Sequence, residues 1–370
     1  MSTFNRYHRS DIVINTDKLV TSTWSDNDNM LGSGQFHTSS LQSDQTDVNS
    51  QGNFFWDIYN MYTGSISASK EYAISYGHRD GSGSEDFTND IGSYGYSATK
   101  WNYHHYQQIV FGDETQEFTF NGYTPKAIWV INIERRNYKQ NLKPGTLNLF
   151  LGSSEAGGDF VQLTDNSVTT TGSAKMTMCG RQYDIVSGSS GEAYFDNVAI
   201  PNGGHASNLS FGIGDEASGS YGFFYPDAGF IVLNADACQQ STQLKGLGNP
   251  LNKTNMVHNE SSNAKGFNLD KLQLAIQYGN NFILDSEEKV TSQYYFTRVK
   301  NSEFNYTTNP SFIDEQGNLR FQSMADQPTV FITTVGLYSN SGDLLAVAKL
   351  SKPLPKDFTK ESLIKVKIDY

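Results

Sequence analysis

Apolar residues in this chain arrive in short runs separated by Gly, Asn, Ser and Asp clusters, and the runs are rich in aromatic and β-branched residues. That pattern predicts strands rather than amphipathic helices. Early candidates are Asp11–Val20, Phe54–Tyr59 and Tyr72–Tyr76. From about Gln107 the signals become regular, at Gln108–Phe111, Glu117–Phe120, Ala127–Ile133, Thr146–Leu151, Phe160–Leu163, Tyr183–Val186, Ala193–Phe195, Tyr221–Tyr225 and Gly229–Leu233. Asn121-Gly122 and Pro144-Gly145 supply turns between them. A second β block holds Gln293–Val299, Thr329–Tyr338, Leu344–Leu350 and a final half-buried strand, Leu363–Tyr370. The turn Ser339–Asp343 makes two of these a hairpin. One short helix is predicted after Asn268, with Leu269, Leu272, Leu274, Ala275 and Ile276 on its apolar side and Gly279 at its end.

The pattern also divides the chain. Residues 1–50 read as an extended N-terminal arm, because the polar stretch Ser25–Gln51 offers little core. Residues 51–240 read as a β-rich body, 241–266 as a linker or long loop, and 267–370 as a C-terminal β region. The expected class is mainly β, with an antiparallel sandwich or barrel-like body. At the C-terminus, alternation turns Leu363 or Ile364, Val366 and Ile368 inward and Lys365, Lys367 and Asp369 to solvent. Residues 349–370 hold six lysines against three acids, which suits a wet edge strand. Deletion of 363–370 is expected to cost solubility; deletion of 1–50 is expected to leave a soluble fold that no longer assembles.

Composition narrows the function. Aromatics reach 13% and charged residues only 18% of 370 residues, the opposite of a disordered chain. The net charge of −12, with no basic run longer than Arg135-Arg136, argues against nucleic acid and anionic membranes as partners. No apolar stretch nears the roughly 20 residues of a membrane span. The start of the chain lacks an apolar signal core, so synthesis and folding in a cytoplasm are expected. Cys179 and Cys238 fit neither a metal spacing nor a disulfide framework and read as small hydrophobes.

Chemistry is harder to find. His104-His105 would point to opposite faces of a strand and could not share an ion there. His78, beside Arg79 and Asp80, reads as a solvated loop histidine. Asp26–Asn29 opens like a calcium loop but lacks its later glycine and glutamate; Asp80–Asp90, four acids among glycines, reads as a mobile polar loop, with surface calcium as the alternative. Nucleophile-elbow, phosphate-loop, dinucleotide and zinc-protease motifs are absent. No catalytic residue, metal ligand or cofactor is therefore assigned. The aromatics remain: Trp56, Trp101, Tyr103 and Tyr106 are candidates for core, subunit interface or glycan stacking.

Several segments carry a resemblance: Tyr76–Ser84, Arg136–Gly145, Tyr225–Asn234, Arg298–Tyr306, and Val335–Tyr338 running into Leu344–Pro353. In order, from about residue 7 to Tyr370, the chain resembles a family of virion structural proteins of large contractile-tailed bacteriophages, notably those of marine cyanobacteria. The family has no catalytic motif to carry across. The resemblance implies a non-enzymatic tail or baseplate subunit located in the virion. Its implied partners are other tail and baseplate proteins and further copies of itself, without nucleic acid or membrane insertion. A tail-fibre or host-glycan recognition module, or a neck or collar component, are the alternatives.

Overall fold

The computed structural model describes residues 4–32, 34–38, 55–83, 97–120, 122–152, 160–168, 174–193, 220–240, 260, 267–306, 308–326 and 328–370. The linker expected over 241–266 lies outside them except for Glu260, as do residues 39–51 of the polar stretch and the acidic loop beyond Gly83. The fold is mainly β and its paired strands with known register are antiparallel.

The strands are β1 (Ile12–Ser22), β2 (Met30–Leu31), β3 (His37–Thr38), β4 (Phe55–Tyr59), β5 (Lys70–His78), β6 (Ala127–Ile133), β7 (Asn141–Leu142), β8 (Asn148–Gly152), β9 (Phe160–Asp165) and β10 (Lys175–Thr177). They continue with β11 (Gly180–Ser189), β12 (Glu192–Ala193), β13 (Gly222–Tyr225), β14 (Phe230–Asn234), β15 (Phe282–Ile283), β16 (Asp285–Val299), β17 (Val330–Tyr338), β18 (Leu344–Lys356) and β19 (Ser362–Asp369). Three helices matter to the packing: α1 (Ala98–Phe111), α2 (Ala235–Gln240) and α3 (Phe267–Gly279). Two compact units form, residues 19–288 and residues 1–18 with 289–370. This division departs from the linear one expected, since the N-terminus joins the C-terminal strands and α3 joins the larger unit.

The larger unit is built on one sheet of order β2-β15-β8-β9-β11-β13-β14-β6-β5-β4-β3, with β10 and β12 attached to β11. The sheet curls. Tyr72 of β5 and Phe282 of β15, far apart in that order, bring their rings to 5.6 Å between centroids. Inside the curl lies α3, whose Leu269, Leu272, Ala275 and Ile276 are buried with Trp129, Ile131 and Ile133 of β6. On the opposite face α1 covers Ile128 and Val130 with Tyr103 and Val110, joined by Phe118 and Phe120. Both faces of β14, and of β6 except at the exposed Asn132, are thus dry, which is why those strands read as nearly continuous apolar runs instead of alternating. Where α1 crosses β5, a Cβ on Gly77 would sit 2.9 Å from the Tyr103 backbone nitrogen, so only glycine permits that approach.

Three expectations are corrected here. Gln108–Phe111 is not a strand but the last turn of α1. Its caps were in the sequence: Ser97 Oγ accepts from Lys100 N at 3.4 Å, and Gly112 takes the left-handed φ of 70°. Glu117–Phe120 forms no named strand, only a bridge between Phe120 and Tyr123. The N-terminal arm contributes real core: Trp24, just before the polar stretch, and Leu31 and Phe36 within it are buried in the main cluster. Few apolar residues in a polar segment hid this, but each is large. Loss of residues 1–50 would empty their sites, so the soluble fold expected after that deletion does not follow.

The smaller unit is thinner. β16 pairs antiparallel with β19 from Ser292↔Asp369 to Val299↔Ser362, and β1 lies on the other side of β16. The β17–β18 hairpin closes through Ser339 N donating to Asp343 O at 2.8 Å. Only Val335, Leu337, Ile364 and Val366 are buried apolar members of the cluster between these layers among the described residues. The C-terminal alternation is as expected for Ile364 and Val366, while Leu363 faces solvent. Lys356 departs from the wet-edge picture. It is fully buried, and its Nζ donates to Asn301 O (3.0 Å), Asn305 Oδ1 (2.8 Å) and Asp357 O (2.8 Å).

Candidate functional site

A buried polar constellation of the larger unit lies where β5 ends. His78 is buried, not solvated as its sequence neighbours suggested. Its Nδ1 accepts from Asp80 N at 3.1 Å and from Ser82 N at 3.2 Å, which assigns the neutral ring proton to Nε2. That nitrogen faces Glu260 Oε1 at 3.6 Å. Arg79 pairs with Glu117 (2.6 Å) and Asp80 (3.4 Å), and Thr99 Oγ1 donates to Ser82 O at 2.9 Å. Nearby, Tyr123 OH donates to Asp236 Oδ2 at 2.8 Å. Burial pushes the Tyr76 phenol well above its ordinary range, with Glu260 and Asp236 adding to the effect.

This arrangement builds a turn. A histidine whose Nδ1 lone pair already accepts backbone N–H groups, and whose Nε2 bears the proton, has no lone pair left for a metal or for base catalysis. Glu71 does similar work at the other end of β5: it accepts from Ser25 N and Oγ and from Asn137 Nδ2 (2.8 Å), tying two loops together. Burial raises its pKa, with the Ser25 hydrogen bonds opposing. Among the described residues no three His, Cys, Asp or Glu side chains gather as metal ligands. His104 and His105 sit on α1, a helix and not the strand assumed for them. Cys238 is buried and Cys179 half-buried, and both are free thiols.

The four aromatic candidates separate by burial. Trp56 on β4 and Tyr103 on α1 are core residues, the latter edge-on to Phe118 at 5.6 Å. Tyr106 is half-buried against Phe230 at 5.6 Å. Trp101 alone of the four is well exposed, at 56%. The structure therefore does not bring them together as a stacking platform.

What sequence reasoning missed is the apolar surface of the strands outside the large core. β1 is exposed along nearly its whole length, including Val13, Ile14, Leu19 and Val20. On the hairpin, Phe331, Tyr338, Leu345 and Val347 are exposed, and Phe4 lies edge-on to Tyr338 at 4.8 Å. The signal was available: apolar doublets such as Val13-Ile14, Leu19-Val20 and Leu344-Leu345 put apolar groups on both faces of a strand, and one face then stays wet. Beside them, Lys365 Nζ stands 4.0 Å from the ring centroid of Tyr294, a cation–π contact on the outer face of β16 and β19.

No family model, curated protein or solved structure matches this chain. No helix among the described residues is long and apolar enough to cross a membrane.

Proposed function

We propose that this chain is a non-enzymatic structural subunit of a contractile-tailed phage virion, placed in the tail or baseplate. The observation that carries the structural reading is the apolar surface of β1 and the β17–β18 hairpin, set against a larger unit whose core is dry on both sheet faces. Apolar strand surface of this kind marks contact with other chains and is an aggregation hazard when left uncovered. Buried polar groups such as His78, Glu71 and Lys356 hold loops. The phage and tail placement rests on the ordered resemblance of segments from about residue 7 to Tyr370.

Mass spectrometry of purified virions tests it. The chain is expected at fixed stoichiometry in tail-containing fractions; its absence from mature particles would sink the reading. Host-glycan recognition keeps one supporting observation, the exposed Trp101. Glycan-array binding abolished by Trp101→Ala would favour it.

A further inference from the structure

The strand order β1-β16-β19 leaves β1 with a neighbour on one side only among the described residues. Thr21 lies beside Ser286 (3.3 Å) and Asp11 beside Arg298 (3.3 Å), so β1 runs antiparallel to β16. Its outer edge therefore offers an eleven-residue row of backbone donors and acceptors. A strand is the ligand that satisfies such an edge, and both faces of β1 add exposed apolar side chains to hold one.

We propose that β1 is a dimerisation strand, pairing antiparallel with β1 of a second copy of this chain about a two-fold axis at Thr16. The inference stands on the strand itself and goes beyond the virion reading. A two-fold pair of antiparallel strands places residues of equal parity opposite each other, so few registers exist. Centred on Thr16, the register sets Val13 against Leu19 of the partner subunit and Ile12 against the partner's Val20. Ile14 then meets the aliphatic stem of the partner's Lys18, and Asn15 meets the partner's Asp17. Apolar meets apolar, and no charge directly opposes its like. Centring on Asp17 would oppose two carboxylates directly. Centring on Asn15 would set Val13 against an aspartate and leave Leu19 opposite Asp11. Of the three registers that pair most of β1, the one centred on Thr16 is therefore the self-complementary one.

Sedimentation of the purified full-length chain tests the dimer, and cysteine cross-linking tests the register. The wild type is expected to sediment as a dimer. Ile14→Lys with Leu19→Lys, both at exposed positions, should raise the dissociation constant by roughly tenfold or more while leaving the circular dichroism spectrum unchanged. In a Cys179→Ser background, Thr16→Cys should cross-link to itself under mild oxidation and Val13→Cys should not. A monomeric wild type, a double variant that stays dimeric, or Val13→Cys cross-linking as readily as Thr16→Cys would each overturn the proposal. None of these readouts depends on a virion, so failure here and failure of the phage assignment are separate results.

Discussion

The two units solve burial differently. In residues 19–288 a single curled sheet encloses α3, and α1 seals the other face, so β14 is dry on both sides and β6 is too except at Asn132. In residues 1–18 with 289–370, four buried apolar side chains separate two thin layers, and large apolar residues stand outside them. Charge follows the same split. The larger unit carries 14 Lys and Arg against 29 acids, a balance of −15; the smaller carries 13 against 10, a balance of +3. The difference teaches that one unit is stabilised from within, while the other has surface to give to a neighbour.

The sharpest way to break this comparison is to damage each unit in turn. Trp129→Ala removes a fully buried indole whose Nε1 donates to Asn268 O at 3.2 Å. It should cost about 3–5 kcal/mol and melt the larger unit. Lys356→Met should cost the smaller unit about 1–3 kcal/mol, because three carbonyl-type acceptors lose their buried donor. Chemical denaturation followed by strand-specific probes separates the two losses. Equal effects of both changes on both units would mean that the units fold as one.

Titration sharpens the contrast with a smaller effect. Burial lowers the Lys271 ammonium to about 8. The unfolded chain then holds that proton more tightly, so the larger unit should gain stability as pH rises from about 8 to 10.5, and Lys271→Met should flatten the profile. In the smaller unit Asp357 is lowered to about 2 by Thr359 and Lys360, and Asp369 is lowered by Ser292 and Lys367. These contribute stability above the ordinary carboxylate range that is lost as pH falls toward about 2. Asp165 and Asp184 of the larger unit are raised by burial and act in the opposite sense on acidification. Acid should thus loosen β19 before β9 and β11, which amide exchange measures directly.

The smallest expected effect is the most telling about surface. Leu345→Ser with Val347→Thr changes exposed positions and should shift the stability of the isolated chain by less than about 0.5 kcal/mol per site. Under the proposed virion role, incorporation into particles should nonetheless fall.

Much of the β architecture was legible because short aromatic and β-branched runs between turn residues have few other solutions; β5, β6, β14, the final hairpin and α3 sit where the pattern put them. Helix α1 was misread since its apolar residues, clustered with aromatics, resemble a strand locally, although Ser97 and Gly112 marked its ends. The assignment of residues to units was not legible. It depends on β1 returning to β16 across most of the chain, and no local signal encodes so distant a pairing. Of the proposed aromatic site, only Trp101 lies open, because aromatic identity alone does not distinguish a core face from a wet one.

The account's central claim is that β1 and the hairpin are surfaces that other chains cover. Hydrogen–deuterium exchange of residues 12–22 and 330–356, compared between the free chain at low concentration and the chain in its purified particle, tests it most directly. The account predicts strong protection of both segments in the particle, with β6 and β14 equally protected in both states. Unchanged exchange at β1 and at the hairpin would contradict it.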